Sequence, residues 1–193
     1  IKIMKNLKKF LAVLLVAAMV TGFSGNVCRA KTKSDVYGDL IKQLKKKEQF
    51  ADGVYTAKIH DASGNDILLV TDAGQNAIWA DVYQNVNGKA ELITTIVSTG
   101  SGYPICKKGN YILSGFHHKS MRYKITSDST IMEQINGLYL NKKYCTYTKN
   151  KIKDGKMTQL KRKKVKAKTA EKMDYYVDRK GNMRGKPIKF SRK

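Results

Sequence analysis

The sequence predicts an α+β, β-rich domain: an N-terminal helix packed on a mostly antiparallel meander sheet of about 7–9 strands. Three observations predict it. Apolar residues recur at helical spacing between 35 and 50. From residue 53 onward, short runs rich in Tyr, Val, Ile and Thr alternate with turn signals every 8 to 15 residues. Only two prolines occur in 193 residues, which leaves the strands uninterrupted.

The first 30 residues stand apart from that domain. After Met4, the lysines Lys5, Lys8 and Lys9 precede an apolar run from Phe10 to Phe23. A basic start and a run of 14 residues match a secretory signal peptide and fall short of the ~20 residues of a membrane span. Cleavage is expected after Ala30, where "CRA" supplies small residues at both recognition positions. Retention as an anchor and lipidation at Cys28 are the other outcomes, although Val27 occupies a position where lipidation wants a small residue. The mature chain would then span 163 residues, enough for one domain with its own core.

Within it, DVYGDLIKQLKKKEQF at 35–50 places Val36, Tyr37, Leu40, Ile41 and Leu44 on one stripe. Lysines fill the opposite face and the final turn, where the helix dipole favours them. "GVYTAKIH" and "DILLVTD" follow as strands around the loop "HDASGND". "NAIWADVYQ" and "KAELITTIVS" flank Asn87-Gly88, the strongest hairpin signal in the chain. Further turns are expected at His117-His118, Asn136-Gly137, Asp154-Gly155 and Gly181-Asn182. Residues 156–172 carry too many lysines for a core element and read as an exposed strand or short helix. The organisation is therefore 1–30 signal peptide, 31–140 helix plus antiparallel sheet, and 141–193 a basic β-hairpin extension of the same domain. Strict repeats of 20–50 residues are absent, which excludes a full propeller.

Charge is distributed unevenly. Residues 31–140 carry 13 basic and 11 acidic side chains, whereas 141–193 carry 20 basic and 4 acidic, a balance of +16. The densest stretch is KRKKVKAK, giving the anion-binding candidates Lys161, Arg162, Lys163, Lys164, Lys166 and Lys168. Read as a strand, this stretch displays charge along a face and an edge, and edge lysines also protect sheets from aggregation. Lysine outnumbers arginine there, which favours diffuse attraction to phosphate or carboxylate over base readout. The expected partner is an anionic polymer or an anionic membrane or cell-wall surface, with no specific nucleic acid.

Other chemistry is sparse. His60, His117 and His118 lack paired metal-ligand spacing, and on a strand adjacent histidines point to opposite faces. A Cys106–His117 nucleophile pair has no oxyanion signature beside it. Asp61, Asp66, Asp72 and Asp81 sit in or near turns, where carboxylates ordinarily bind backbone amides. Cys106 and Cys145 form the one available disulfide candidate, which would close a loop of about 40 residues and stabilise by ~4 kcal/mol; two separate buried thiols are the alternative.

"YTAKIHDASGNDILLVTDAG", "VYQNVNGKAELI" and "YILSGFHHKSMRYKI" together resemble small secreted proteins of gut clostridia that carry a DxDxDG-like loop before a core strand. The resemblance covers roughly residues 36–140. It implies a short helix followed by hairpins, an extracellular location and a calcium-binding turn, and assigns no reaction. Laid on this sequence, the acidic positions of that loop fall on Ile59, Asp61, Ser63 and Ile67, with the turn glycine at Gly64. Calcium takes six to eight oxygens, several of them carboxylate. Asp61, Ser63 and Asp66 with backbone carbonyls amount to a low-affinity Ca2+ site at most, so the expectation is a metal-free turn and no cofactor.

These readings converge on an exported, non-enzymatic binder of an anionic extracellular or cell-surface partner. A cell-wall or glycan hydrolase is the alternative from the enzyme class, and it requires His117 or His118 to meet Asp or Cys side chains in a cleft. A structural module without ligand is the third.

Overall fold

The structure, a computed structural model, describes residues 33–99 and 104–193, the side chains from Val36 onward. The expected signal peptide at 1–30 lies outside the described residues. The described chain is β-rich, with two antiparallel sheets and few helices.

Helix α1 (Lys33–Leu44) and a short 3-10 turn (Glu48–Phe50) lead into β1 (Tyr55–His60), β2 (Asp66–Thr71), β3 (Trp79–Val86) and β4 (Lys89–Val97). A second series runs β5 (Cys106–Lys108), β6 (Tyr111–Phe116), β7 (Lys119–Ile125), β8 (Thr130–Asn136), β9 (Tyr144–Lys153) and β10 (Lys156–Lys166). Helix α2 (Ala167–Lys172) follows, then the two-residue strands β11 (Lys186–Pro187) and β12 (Ser191–Arg192). The sheets are ordered β12-β1-β2-β3-β4 and β10-β9-β8-β7-β6-β5-β11. Twelve strands in two sheets replace the single meander of 7–9 expected from the sequence. Consecutive hairpins do form a meander within each sheet, but the chain changes sheets after β4, and turn signals carry no information about such a change.

The pleat explains why both sheets are apolar on one face and mixed on the other. Leu69, Val82 and Ile96 of the first sheet meet Ile112, Tyr123, Ile125 and Met132 of the second in the main core, with Ile188 and Phe190 sealing one side. On the outer face of the first sheet, Tyr37, Leu44, Phe50, Val54, Leu68 and Val70 form a second cluster. The stripe on α1 thus finds its partner surface, and the Tyr37 hydroxyl donates to the Asp66 carbonyl at 2.7 Å. Fully burying a side chain such as Leu44 contributes about 2 kcal/mol.

The outer face of the second sheet is covered by α2 and the segment after it. Tyr176 is 2% exposed and packs with Cys106 and Leu113. Ser120 Oγ accepts the backbone N–H groups of Tyr175 at 2.8 Å and Tyr176 at 3.1 Å. Gly185 lets this segment reach the sheet, since a Cβ there would stand 3.0 Å from Cys106 Cβ, Leu113 Cδ1 and the Lys107 carbonyl oxygen.

The Cys106–Cys145 disulfide expected as a candidate does not form: both thiols are free and buried. Cys106 lies on β5 and Cys145 on β9, with β6, β7 and β8 between them. At about 4.8 Å per strand the separation is roughly 19 Å, against the 4.4–6.8 Å between Cα atoms that a bridge tolerates. Cys106 instead lies 3.6 Å from the Tyr176 hydroxyl, and Cys145 donates to the Gly137 carbonyl at 3.2 Å.

Candidate anion-binding face

The hairpin of β9 and β10 builds the most charged surface. Asp154 and Gly155 both adopt positive φ, 51° and 70°, which is the geometry a two-residue hairpin turn requires. The two strands then pair over ten registered positions, with a bulge between Gln159 and Lys161. β10 lies at the sheet edge, and its side chains are exposed along nearly the whole strand.

Register decides which basic residues share a face. Glu133 of β8 stands opposite Lys149, and Lys149 opposite Lys161. Lys163 lies opposite Tyr147, and Lys156 opposite Lys153. With Lys151 two residues from Lys149, one face of the ribbon carries Lys149, Lys151, Lys153, Lys156, Lys161 and Lys163. Alternate residues of a strand stand about 6.8 Å apart and neighbouring strands about 4.8 Å. The six ammonium groups therefore project from a strip about 20 Å long and about 5 Å wide.

Two features make this strip electrostatically costly without a partner. Lys149 faces Lys161 and Lys153 faces Lys156, and directly opposed like charges destabilise a sheet by about a few tenths of a kcal/mol each. Nearby carboxylates offset little of it. Asp128 approaches Lys151 at 3.8 Å on an exposed surface. Thr126 and Ser129 hydroxyls donating to Asp128 hold that carboxyl below its ordinary range.

The other acid on this face is committed. Arg122 lies between the rings of Tyr111 and Tyr175, 4.8 and 4.5 Å from their centroids, and binds Glu133 through Nε. Tyr147 donates to Glu133 at 2.8 Å, and Lys163 lies 5.4 Å from the centre of the Tyr147 ring. Burial alone would push the Glu133 carboxyl up, but the Arg122 and Tyr147 hydrogen bonds outweigh it and hold the group below its usual value. Burial beside Glu133 raises the Tyr175 phenol to about 12. Glu133 is thus a fixed anion beside Lys149 on the sheet side of the strip.

The pleat divides the six residues singled out in the sequence. Lys161 and Lys163 join the strip. Arg162, Lys164 and Lys166 pair opposite Thr148, Thr146 and Tyr144 and point to the reverse face. Lys168 belongs to α2. Sequence reasoning missed Lys149, Lys151, Lys153 and Lys156; the signal of the first three was present as a two-residue period in "KNKIK".

The remaining candidates are occupied locally. Asp61 is 5% exposed and its Oδ1 accepts the backbone N–H groups of Ser63 at 2.7 Å and Asn65 at 2.9 Å. Its Oδ2 accepts from Gln84 at 3.0 Å and Asn65 Nδ2 at 3.3 Å. Ser63 contributes its amide to this turn, while the Asp66 carboxylate takes His60 Nδ1 at 2.9 Å and Lys58 at 4.0 Å. Four donors thus close the turn on Asp61. Asp178, Gly181 and Asn182 repeat the design: Asp178 Oδ1 accepts from Lys180 and Asn182 amides, and its backbone N–H donates to the Asn182 carbonyl at 2.9 Å, as Asp61 does to Asn65. D-x-x-G-N is a turn motif used twice in this chain.

His118 sits at φ 55° with Nδ1 2.8 Å from the Leu138 carbonyl oxygen, and His117 stands edge-on to Phe116. Burial raises the Cys106 thiol, opposed by its contact with Tyr176, which disfavours a thiolate nucleophile. Among the described residues, no three His, Cys, Asp or Glu side chains gather to hold a metal ion, and no helix is long and apolar enough to cross a membrane.

Comparison of the chain with protein families, curated proteins and solved structures found no match.

Proposed function

We propose that this is an exported protein that binds an anionic polymer outside the cell along the lysine strip of the β9–β10 ribbon, without catalysis. The observation that carries the reading is the register of that ribbon, which aligns six lysines on one face and sets two pairs of them against each other. A polymer with recurrent phosphate or carboxylate groups relieves that repulsion and releases its own counterions on binding. A polymer fits better than a membrane surface because the apolar exposed residues Met157 and Leu160 lie off the strip: Met157 opposite Ile152, Leu160 at the bulge. Export follows from the signal-like segment at 1–30, and the resemblance to secreted clostridial proteins supports the same location. In this reading, α1 on its sheet is scaffold.

The test is retention on a sulfated polysaccharide matrix. Wild type should elute at higher salt than a variant with Lys149, Lys151, Lys161 and Lys163 all replaced by Gln, while Asp61→Ala elutes with wild type. Retention that ignores salt, or a fourfold variant that elutes with wild type, overturns the reading.

A further inference from the structure

At the edge of the second sheet opposite β10, an open groove of about 870 Å³ runs along the edge of β1, with α1 on one side and β11 on the other. Its origin lies in strand lengths. β12 covers β1 only at Tyr55 and Thr56, so beyond Thr56 no described strand lies beside that edge of β1. The Lys193 N–H donates to the Val54 carbonyl at 2.8 Å, and Lys107 Nζ reaches the His60 carbonyl at 3.5 Å. Even-numbered residues of β1 therefore turn their backbone groups toward this edge, and the Lys58 amide lies between those two contacts. The facing wall is β11 with the end of β5, the edge of the other sheet.

The lining combines two chemistries. Ile41, Ile59, Pro187 and Ile188 supply apolar surface, and Lys58, Lys107, Lys186, Lys189 and Lys193 surround it. No carboxylate is among the described residues that line it. Asp66, at 4.0 Å from Lys58, is shared with His60, while Lys107 and Lys189 meet neutral oxygens, those of His60 and Asn76. An apolar cleft of this size ringed by a few charged groups of one sign has the form of a ligand site. Multiple lysines acting as point charges suit a phosphate head better than a single carboxylate.

We propose that this groove binds a single-chain amphiphile with a phosphate head, the phosphate held by the lysines and the chain lying on Ile59, Pro187 and Ile188. The site is separate from the polymer strip: six strand spacings, about 29 Å, lie between β10 and β11. Its test is calorimetric titration of the full chain with decyl phosphate below its micelle concentration, in parallel with inorganic phosphate and with decanol. Decyl phosphate should bind saturably at one per chain, with each half-ligand at least tenfold weaker. Lys58→Gln combined with Lys186→Gln should weaken decyl phosphate at least tenfold while leaving the thermal midpoint in place. Lys107→Gln with Lys193→Gln provides a second pair should the first disturb folding. Lys161→Gln with Lys163→Gln should leave this binding unchanged while it impairs polymer retention. Non-saturable uptake, equal binding of phosphate alone, or loss confined to the ribbon variant overturns the proposal.

Discussion

The lysine strip makes a quantitative prediction about salt. If six lysines each displace one counterion from a single-stranded polyanion, the logarithm of the association constant should fall against the logarithm of salt with a slope of about −4. Between 50 and 200 mM salt that amounts to about a 300-fold loss of affinity. Replacing Lys161 and Lys163 with Gln removes two of the six, and the slope should shallow to about −3, or about a 50-fold loss over the same range. Arg162→Gln with Lys164→Gln removes the same charge from the reverse face of the same strand. That variant should keep most of the wild-type slope, because its long-range contribution is screened beyond about 8 Å at physiological salt. The assay is fluorescence anisotropy of a labelled homopolymeric oligonucleotide, used for its uniform charge spacing, across at least four salt concentrations. Equal slopes for the two double variants would refute the assignment of binding to one face. A slope near zero for wild type would refute electrostatic binding altogether.

Four further outcomes follow from the same geometry. Asp61→Ala strands two backbone and two side-chain donors in a nearly buried turn and should lower unfolding free energy by about 2–3 kcal/mol in urea, with a much smaller loss for Asp178→Ala in the exposed twin turn. Tyr147→Phe should cost about 1 kcal/mol near neutral pH; because Glu133 is held below its usual value, that contribution is present above the ordinary glutamate range and disappears as pH falls through the native value, so the two proteins should converge in acid. Burial raises the Asp81 carboxyl, opposed by the Thr95 hydroxyl at 2.6 Å, so the native carboxylate costs stability at neutral pH and Asp81→Asn should raise the thermal midpoint there, an advantage that fades as pH falls through the raised native value and is gone below the unfolded value near ~3.9. Finally, both described thiols should resist an aromatic disulfide reagent in the native protein and react together in denaturant, and an intact mass lacking two protons would contradict the strand order.

What the sequence disclosed and what it hid divide by distance along the chain. Asn87 and Gly88 both sit at positive φ, 51° and 80°, and few residue pairs accept that, so the turn is readable from two letters. The stripe on α1 is readable for the same reason, since a period of 3.6 is local. The lysine strip needed more: its composition was plain, but its face depends on register across the Asp154-Gly155 turn and on the bulge after Gln159. The division into two sheets and the fate of the cysteines depend on strand order, which no local pattern encodes. The groove depends on a pairing between Tyr55 and Arg192, the most distant in sequence among the described strand pairings, and had no sequence signal beyond scattered lysines.

That distant pairing also orders events in time. Tyr55 and Thr56 are synthesised well before Ser191 and Arg192, the residues that pair with them, and Ile188 and Phe190 must arrive in the core as the two sheets are tied together. Each sheet can assemble its hairpins as they emerge, but the sandwich cannot close until residues 188–192 have been delivered. Under the export proposed above, such a delay would keep an early core from obstructing passage of the unfolded chain. The lock forms only after the strands it ties together have been made.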